Sequence, residues 1–147
     1  MTVIKRELAE MLNKALELEH AARIQYLTHA ELIKGLGAEK IIERLKEIAS
    51  DEEKHEGKFR ALIANYLQGE PTMRLAVTHR AGETKGILEI NLKNEKEAID
   101  FYKKIYKKVC DNKDSLPYEF ETIEHEIRHV ICDEQEHMTE LSLLLGK

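Results

Sequence analysis

Apolar residues recur four and three positions apart along four stretches of this chain, with polar residues filling most positions between. The first stretch, residues 3–34, runs Leu8, Leu12, Ala15, Glu19, Ala22, Tyr26, His29 and Ile33. The second, 38–67, runs Ile41, Leu45, Ile48, Glu52, His55, Phe59, Leu62 and Tyr66. The third, 87–110, gives Leu88, Leu92, Glu95, Ile99, Tyr102, Tyr106 and Val109. The fourth, about 117–145, gives Phe120, Ile123, Ile127, Val130, Glu134, His137, Leu141 and Leu144. This is the period of an amphipathic helix with one apolar seam. Four such helices packed seam to seam make an all-α bundle.

The connections set the expected topology. "KGLGA" breaks the first pattern as glycine does at a helix end, and "DNKDSLP" reads as a turn. Between them lies "QGEPTMRLAVTHRAGETKG", residues 68–86, with no clean period. Its 19 residues reach roughly 60 Å when extended, enough to run the length of a bundle. The expectation is two antiparallel helical hairpins joined by a long crossover, with the second and third helices parallel. Residues 1–147 are expected to form a single domain.

The seams are interrupted by groups that do not belong in a core. Glu52 and His55 lie three residues apart and share a helix face between Ile48 and Phe59. Glu19, Glu95, and Glu134 with His137 interrupt the other three seams. The two halves match: Glu19 precedes Tyr26 by seven and Glu95 precedes Tyr102 by seven, while Glu-x-x-His occurs in "EEKH" and again in "EQEH". Four buried carboxylates cannot all stay ionised side by side without compensation. Two divalent cations balance them, and carboxylate with imidazole suits iron or manganese better than a thiolate-seeking metal. A single Glu-x-x-His is weak evidence, because ordinary polar residues on a solvated face produce it. Two of them, with two matched glutamates and all on apolar seams, are hard to reach by accident.

Composition narrows the setting. Charged residues make up 35% of the chain, with only two prolines and seven glycines, as long amphipathic helices require. A net charge of −5 speaks against a nucleic-acid partner, and the lysines of "YKKIYKKV" avoid the apolar face. No apolar run is long enough to span a membrane, and "MTVIKRELAEML" lacks the apolar core of a secretory signal. A cytoplasmic protein is expected.

The segments "LNKALELEHAARIQYLTHAELI", "EIASDEEKHEGKF", "LKNEKEAIDFYKKI" and "ICDEQEHMTEL" cover most of the four helices. They resemble the ferritin-like superfamily, most closely its bacterioferritin-type and Dps-like di-iron four-helix bundles. The resemblance implies that Glu19 and His55 hold one iron, Glu95 and His137 the other, and that Glu52 and Glu134 bridge both. Manganese or zinc would be substitutes for the two irons. Tyr26 looks like the family's tyrosine beside the site, a hydrogen-bond donor or electron source during oxygen reduction. Relatives that bind haem at a subunit interface place methionine where this chain has Glu53, so no haem of that kind is expected. Rubrerythrins carry an extra carboxylate where this chain has Ala98, and add paired CxxC motifs that it lacks. Dps-type proteins build their site between subunits, whereas this chain carries a full ligand set of its own. Only ten residues follow His137, so the short fifth helix of large ferritin cages is expected to be missing. A dimer or a twelve-subunit shell is the expected homo-oligomer, seeded by exposed apolar residues such as Met11, Leu18, Leu32 and Leu143.

The implied activity is oxidation of Fe(II) by dioxygen or hydrogen peroxide, as in a ferroxidase serving iron storage or detoxification. A rubrerythrin-like peroxidase or other di-iron oxidoreductase is the alternative. A helical interaction module with a structural metal is a third reading, disfavoured because six protein ligands on two metals leave coordination positions open. His20 should turn off its seam, and His79 lies in the crossover. His125 and His129 are expected on a solvated face, and His29 is either a partner of the site or a satisfied core histidine. Asp51 and Glu47 are read as surface residues. Cys110 lies 15 residues past Glu95, about 22 Å along a helix, so the two cysteines should stay unpaired, with Cys132 at the edge of the site.

Overall fold

The computed structural model describes residues 1–147 as four long helices and no strand: α1 (Val3–Ala30), α2 (Ala38–Ala61), α3 (Thr84–Asp111) and α4 (Phe120–Leu144). Thr2 caps α1 by accepting a hydrogen bond from the Lys5 N–H at 3.3 Å. Between α1 and α2 the chain turns at Gly35 and Gly37, both in the left-handed region that glycine enters without strain. The last turn of α2 widens into a π-helical turn, Leu62–Tyr66, which buries Leu62 and Ile63. The helices start and stop within a few residues of the apolar patterns; α1 ends at Ala30, yet Ile33 beyond it is still buried. No helix is long and apolar enough to cross a membrane.

α1 packs most extensively on α2, and α3 on α4, so each hairpin is a unit; α1 also meets α3, and α2 meets α4. The expected pair of hairpins is therefore present. The crossover decides their relative direction. Gly69, at its start, lies against Ala9 near the beginning of α1, and Thr84, at the start of α3, bonds to the Lys34 carbonyl beyond the end of α1. The crossover thus runs along α1 from start to end, and α3 sets out parallel to α2.

A ladder of polar side chains on α1 holds the crossover in place. Asn13 bonds the Glu70 carbonyl and the Thr72 N–H, and Glu17 accepts from the Thr72 hydroxyl at 2.8 Å. The His20 Nδ1 lies 2.6 Å from the Arg74 carbonyl. Gln25 accepts from the His79 N–H at 2.7 Å, and the His29 Nε2 lies 3.0 Å from the His79 carbonyl. An irregular strand has no ladder of its own, so its backbone groups need partners such as these. His20 does not turn away to solvent as expected. It is buried under the crossover, where its Nε2 meets Arg60. Met11 and Leu18 are likewise half-buried against the core, while Leu32 and Leu143 are exposed.

The core is divided in two. One cluster, including Leu8, Leu12, Leu16, Ile105 and Ile127, fills one part of the bundle. The other, including Ile33, Leu45, Ile48, Ile87 and Leu141, fills a second part. Leu12 is wholly buried in the first cluster. Leu12→Ala should lower unfolding free energy by about 2–5 kcal/mol, through lost burial and the cavity left behind. Urea denaturation checks this, and an unchanged midpoint would place Leu12 outside the core.

Candidate metal centre

Polar residues from all four helices converge inside the bundle: Glu19 from α1, Glu52 and His55 from α2, Glu95 from α3, Glu134 and His137 from α4. Each of the six is at most 3% exposed. Their position follows from the period of each seam, since Glu-x-x-His places carboxylate and imidazole on one helix face. Two overlapping groups form. Glu19, Glu52, His55 and Glu134 bring ligand-type atoms within 4.8 Å of one another, and so do Glu52, Glu95, Glu134 and His137. Glu52 and Glu134 belong to both groups.

The imidazoles are turned by partners on the opposite helix. The His55 Nε2 lies 2.8 Å from Asp133 on α4, and the His137 Nε2 lies 2.9 Å from Asp51 on α2. With the Nε2 proton donated outward, each Nδ1 faces the centre, where on losing its proton it would offer a lone pair to a cation. There the His55 Nδ1 is 3.3 Å from both Glu52 and Glu134, and the His137 Nδ1 is 3.2 Å from Glu134. Ligand atoms about 2.0–2.2 Å from a shared cation sit roughly 3–3.5 Å apart, which is the spacing seen.

The glutamates are also oriented crosswise. The Tyr26 hydroxyl of α1 donates to Glu95 of α3 at 2.7 Å, and the Tyr102 hydroxyl of α3 donates to Glu19 of α1 at 2.7 Å. Sequence reasoning singled out Tyr26 but gave Tyr102 no role, although the matched spacing of seven already placed it. It also missed Asp133 and set Asp51 aside as a surface residue. The signal was present: "DEEKH" and "DEQEH" each put an aspartate before the glutamate.

Six buried atoms at the centre have no hydrogen-bond partner: Glu19 Oε2, Glu52 Oε1, His55 Nδ1, Glu95 Oε2, Glu134 Oε1 and His137 Nδ1. Each of the six residues contributes one. All but Glu19 Oε2 approach one another at ion-pair distance without hydrogen-bond geometry. Buried polar atoms are rarely left so, and a pair of cations is what such a donor set fits.

The electrostatics agree. Burial, then the charge of Glu134, raises Glu19, and the same two causes lead in Glu52 and push Glu95 up to about 8. Glu134 is held below the usual carboxylate range because the two imidazoles outweigh its burial. Burial opposes charge on both histidines, but the surrounding carboxylates prevail and raise them, His137 to about 11. Burial and the neighbouring carboxylates raise both tyrosines, so they stay protonated.

The other histidines lie apart. His29 is a satisfied core histidine between Asn91 and the His79 carbonyl. His125 and His129 stack at 4.1 Å on an exposed face of α4. Cys110 and Cys132 are both free and exposed.

A four-helix bundle of two hairpins with carboxylates and imidazoles gathered from every helix is the architecture of di-iron-carboxylate proteins. The ferritin-like domain family matches residues 9–147, and the chain belongs to that family. A ferritin-like di-iron-carboxylate protein from Bacillus anthracis str. Ames is 27% identical, with a TM-score of 0.90 over 99% of each chain. Bacterioferritin from Rhodobacter capsulatus, solved with a metal-free dinuclear site and haem iron, is 25% identical, with a TM-score of 0.84 over 96% of this chain and 84% of that one. A dodecameric thioferritin from Bacteroides fragilis shares the fold at 23% identity, with a TM-score of 0.83 over 97% of this chain and 86% of that one. No curated protein matches the sequence.

Glu95 and His137 are held above their ordinary values of 4.5 and 6.5. The folded metal-free protein therefore binds more protons than the unfolded chain as pH climbs through those values, and stability falls with pH until both groups have titrated. Glu134 acts in the opposite sense, below its ordinary value of 4.5. The melting temperature of chelator-treated protein should thus decline from about pH 5 to about pH 9, and loading with Mn(II) or Zn(II) should flatten the profile as cations replace protons. A metal-free melting temperature that rises across this range would contradict the assignment.

Proposed function

We propose that the six converging residues hold two metal ions, with Glu19 and His55 on one, Glu95 and His137 on the other, and Glu52 and Glu134 bridging. The chain would then be a ferroxidase-type protein whose substrate is Fe(II). The observation that carries this reading is the set of six unpartnered buried atoms, one from each residue. Two Fe(II) ions together supply two electrons, which with two protons reduce dioxygen to hydrogen peroxide or hydrogen peroxide to two waters. The protein's own part is to hold, orient and neutralise. Four carboxylates match four positive charges, and the shared pair can shift as the charge changes. Asp51 and Asp133 lock the imidazoles with Nδ1 inward. Tyr26 keeps a proton on its hydroxyl beside Glu95, where oxygen reduction needs one.

A chemical role is favoured over a structural metal because a cavity of about 80 Å³ reaches Glu52, Glu95 and Glu134, whereas structural sites are closed. Haem has no part in this reading: Glu53 presents an exposed carboxylate on α2.

Purified protein should take up two metal ions per chain, and Glu52→Ala combined with Glu134→Ala should abolish uptake of both. Two tightly bound ions in that double variant, by metal analysis, would sink the site. Storage is separated by assembly. In a closed twelve-subunit shell, aerobic Fe(II) addition should leave hundreds of soluble irons per particle. A dimer should stop near two irons per chain or precipitate ferric product. Light scattering combined with an iron-loading titration reads both.

A further inference from the structure

The two hairpins meet along α1 and α3, and there the packing leaves a slot. The cavity of about 80 Å³ lies between Leu18, Ala21 and Ala22 of α1 and Asn94 and Ala98 of α3, with Val77 of the crossover above it. At its inner end stand Glu52, Glu95 and Glu134, with the Tyr26 and Tyr102 side chains beside them. Ala22 and Ala98 are each partly buried and pack against different halves of the core, so the slot passes between the two clusters. A larger groove of about 670 Å³, bounded by α1 and the crossover, touches none of the six converging residues.

The chemistry of the slot favours a small neutral molecule over a hydrated cation. Its walls carry the apolar side chains of Leu18, Ala22, Ala98 and Val77, against which shedding water from an ion is costly, while the exposed Glu97 and His79 line it as well. The Gln25 and Asn91 amide groups are committed elsewhere. Gln25 Nε2 donates to the carbonyl oxygens of Asn91 and Asn94 at 2.8 Å, and Gln25 Oε1 accepts from the His79 N–H. They offer little to replace lost hydration. Two alanines set the width, since any longer side chain at position 22 or 98 would project into the opening.

We propose that this α1–α3 slot is the oxidant's path to the dinuclear centre, and that Ala22 and Ala98 set an upper size limit. Dioxygen and hydrogen peroxide pass; organic hydroperoxides do not. The proposal rests on the functional reading above. The space holds a few molecules of water's size, whereas cumene hydroperoxide carries a phenyl ring beyond its O–O group.

The test compares wild type with Ala98→Leu and, should that variant fail to fold, Ala22→Val at the opposite wall. Co(II) loading should still give two ions per chain in each variant. The rate at which nitric oxide, a neutral diatomic, binds the anaerobic Fe(II)-loaded centre, read from the visible spectrum, should fall at least about tenfold, as should the rate of Fe(II) oxidation by dioxygen. Wild type should consume hydrogen peroxide at least about a hundredfold faster than cumene hydroperoxide. Variants with two ions but wild-type rates of nitric oxide binding and oxidation would overturn the slot while leaving the functional reading intact. Equal use of both peroxides by wild type would overturn the size limit. A wild-type protein that takes up no Co(II) pair would overturn the functional reading and this one together.

Discussion

Four carboxylates stand in the core of this bundle with only two imidazoles beside them, and the rest of the structure is arranged around that imbalance. Isolated burial of charge is prohibitive, and like charges a few ångströms apart force one another to take up protons. The metal-free centre responds in this way, with Glu19, Glu52 and Glu95 raised and both histidines raised by the carboxylates they face. The apolar core is split into two clusters that lie on either side of this polar centre. A sequence that keeps such a centre gives up continuous packing in the middle of its fold, which natural cores do where function requires it.

The centre is held by a crosswise arrangement between the hairpins. Each histidine is fixed by an aspartate of the other hairpin, and each outer glutamate by a tyrosine of the other hairpin. These four ligands take their orienting hydrogen bonds from the opposite hairpin, so the site is complete only when the two halves dock. The matched halves of the sequence make this economical: one hairpin plan, used twice about an approximate two-fold axis, supplies both sets of partners.

The crossover joins fold and site. Stapled to α1 by Asn13, Glu17, His20, Gln25 and His29, it covers a flank of the bundle next to the α1–α3 junction. Beneath it, Glu56 is buried among Arg23, Arg60 and His20, a charge cluster next to His55 in the chain and one turn from Glu52. Paired charges of this kind contribute little net stability; of these residues it is His20 that bonds the crossover, at the Arg74 carbonyl.

The amino-acid sequence by itself determined the four helices, their seams and the six polar intruders, because helical period is local: residues three and four apart share a face whatever surrounds them. It also marked the breaks at Gly35 and Gly37 and the length of the crossover. Tertiary structure alone decided who faces whom. Asp51 read as a surface residue and Asp133 had no role until docking set them against histidines 86 and 78 positions away. Tyr102 gained its purpose from Glu19, 83 positions distant, and His20 was buried by a connection whose path no period predicts. A seam specifies which face of a helix turns inward, but the rotation and pairing of helices come from packing the whole set together, and the slot between α1 and α3 is a product of that packing.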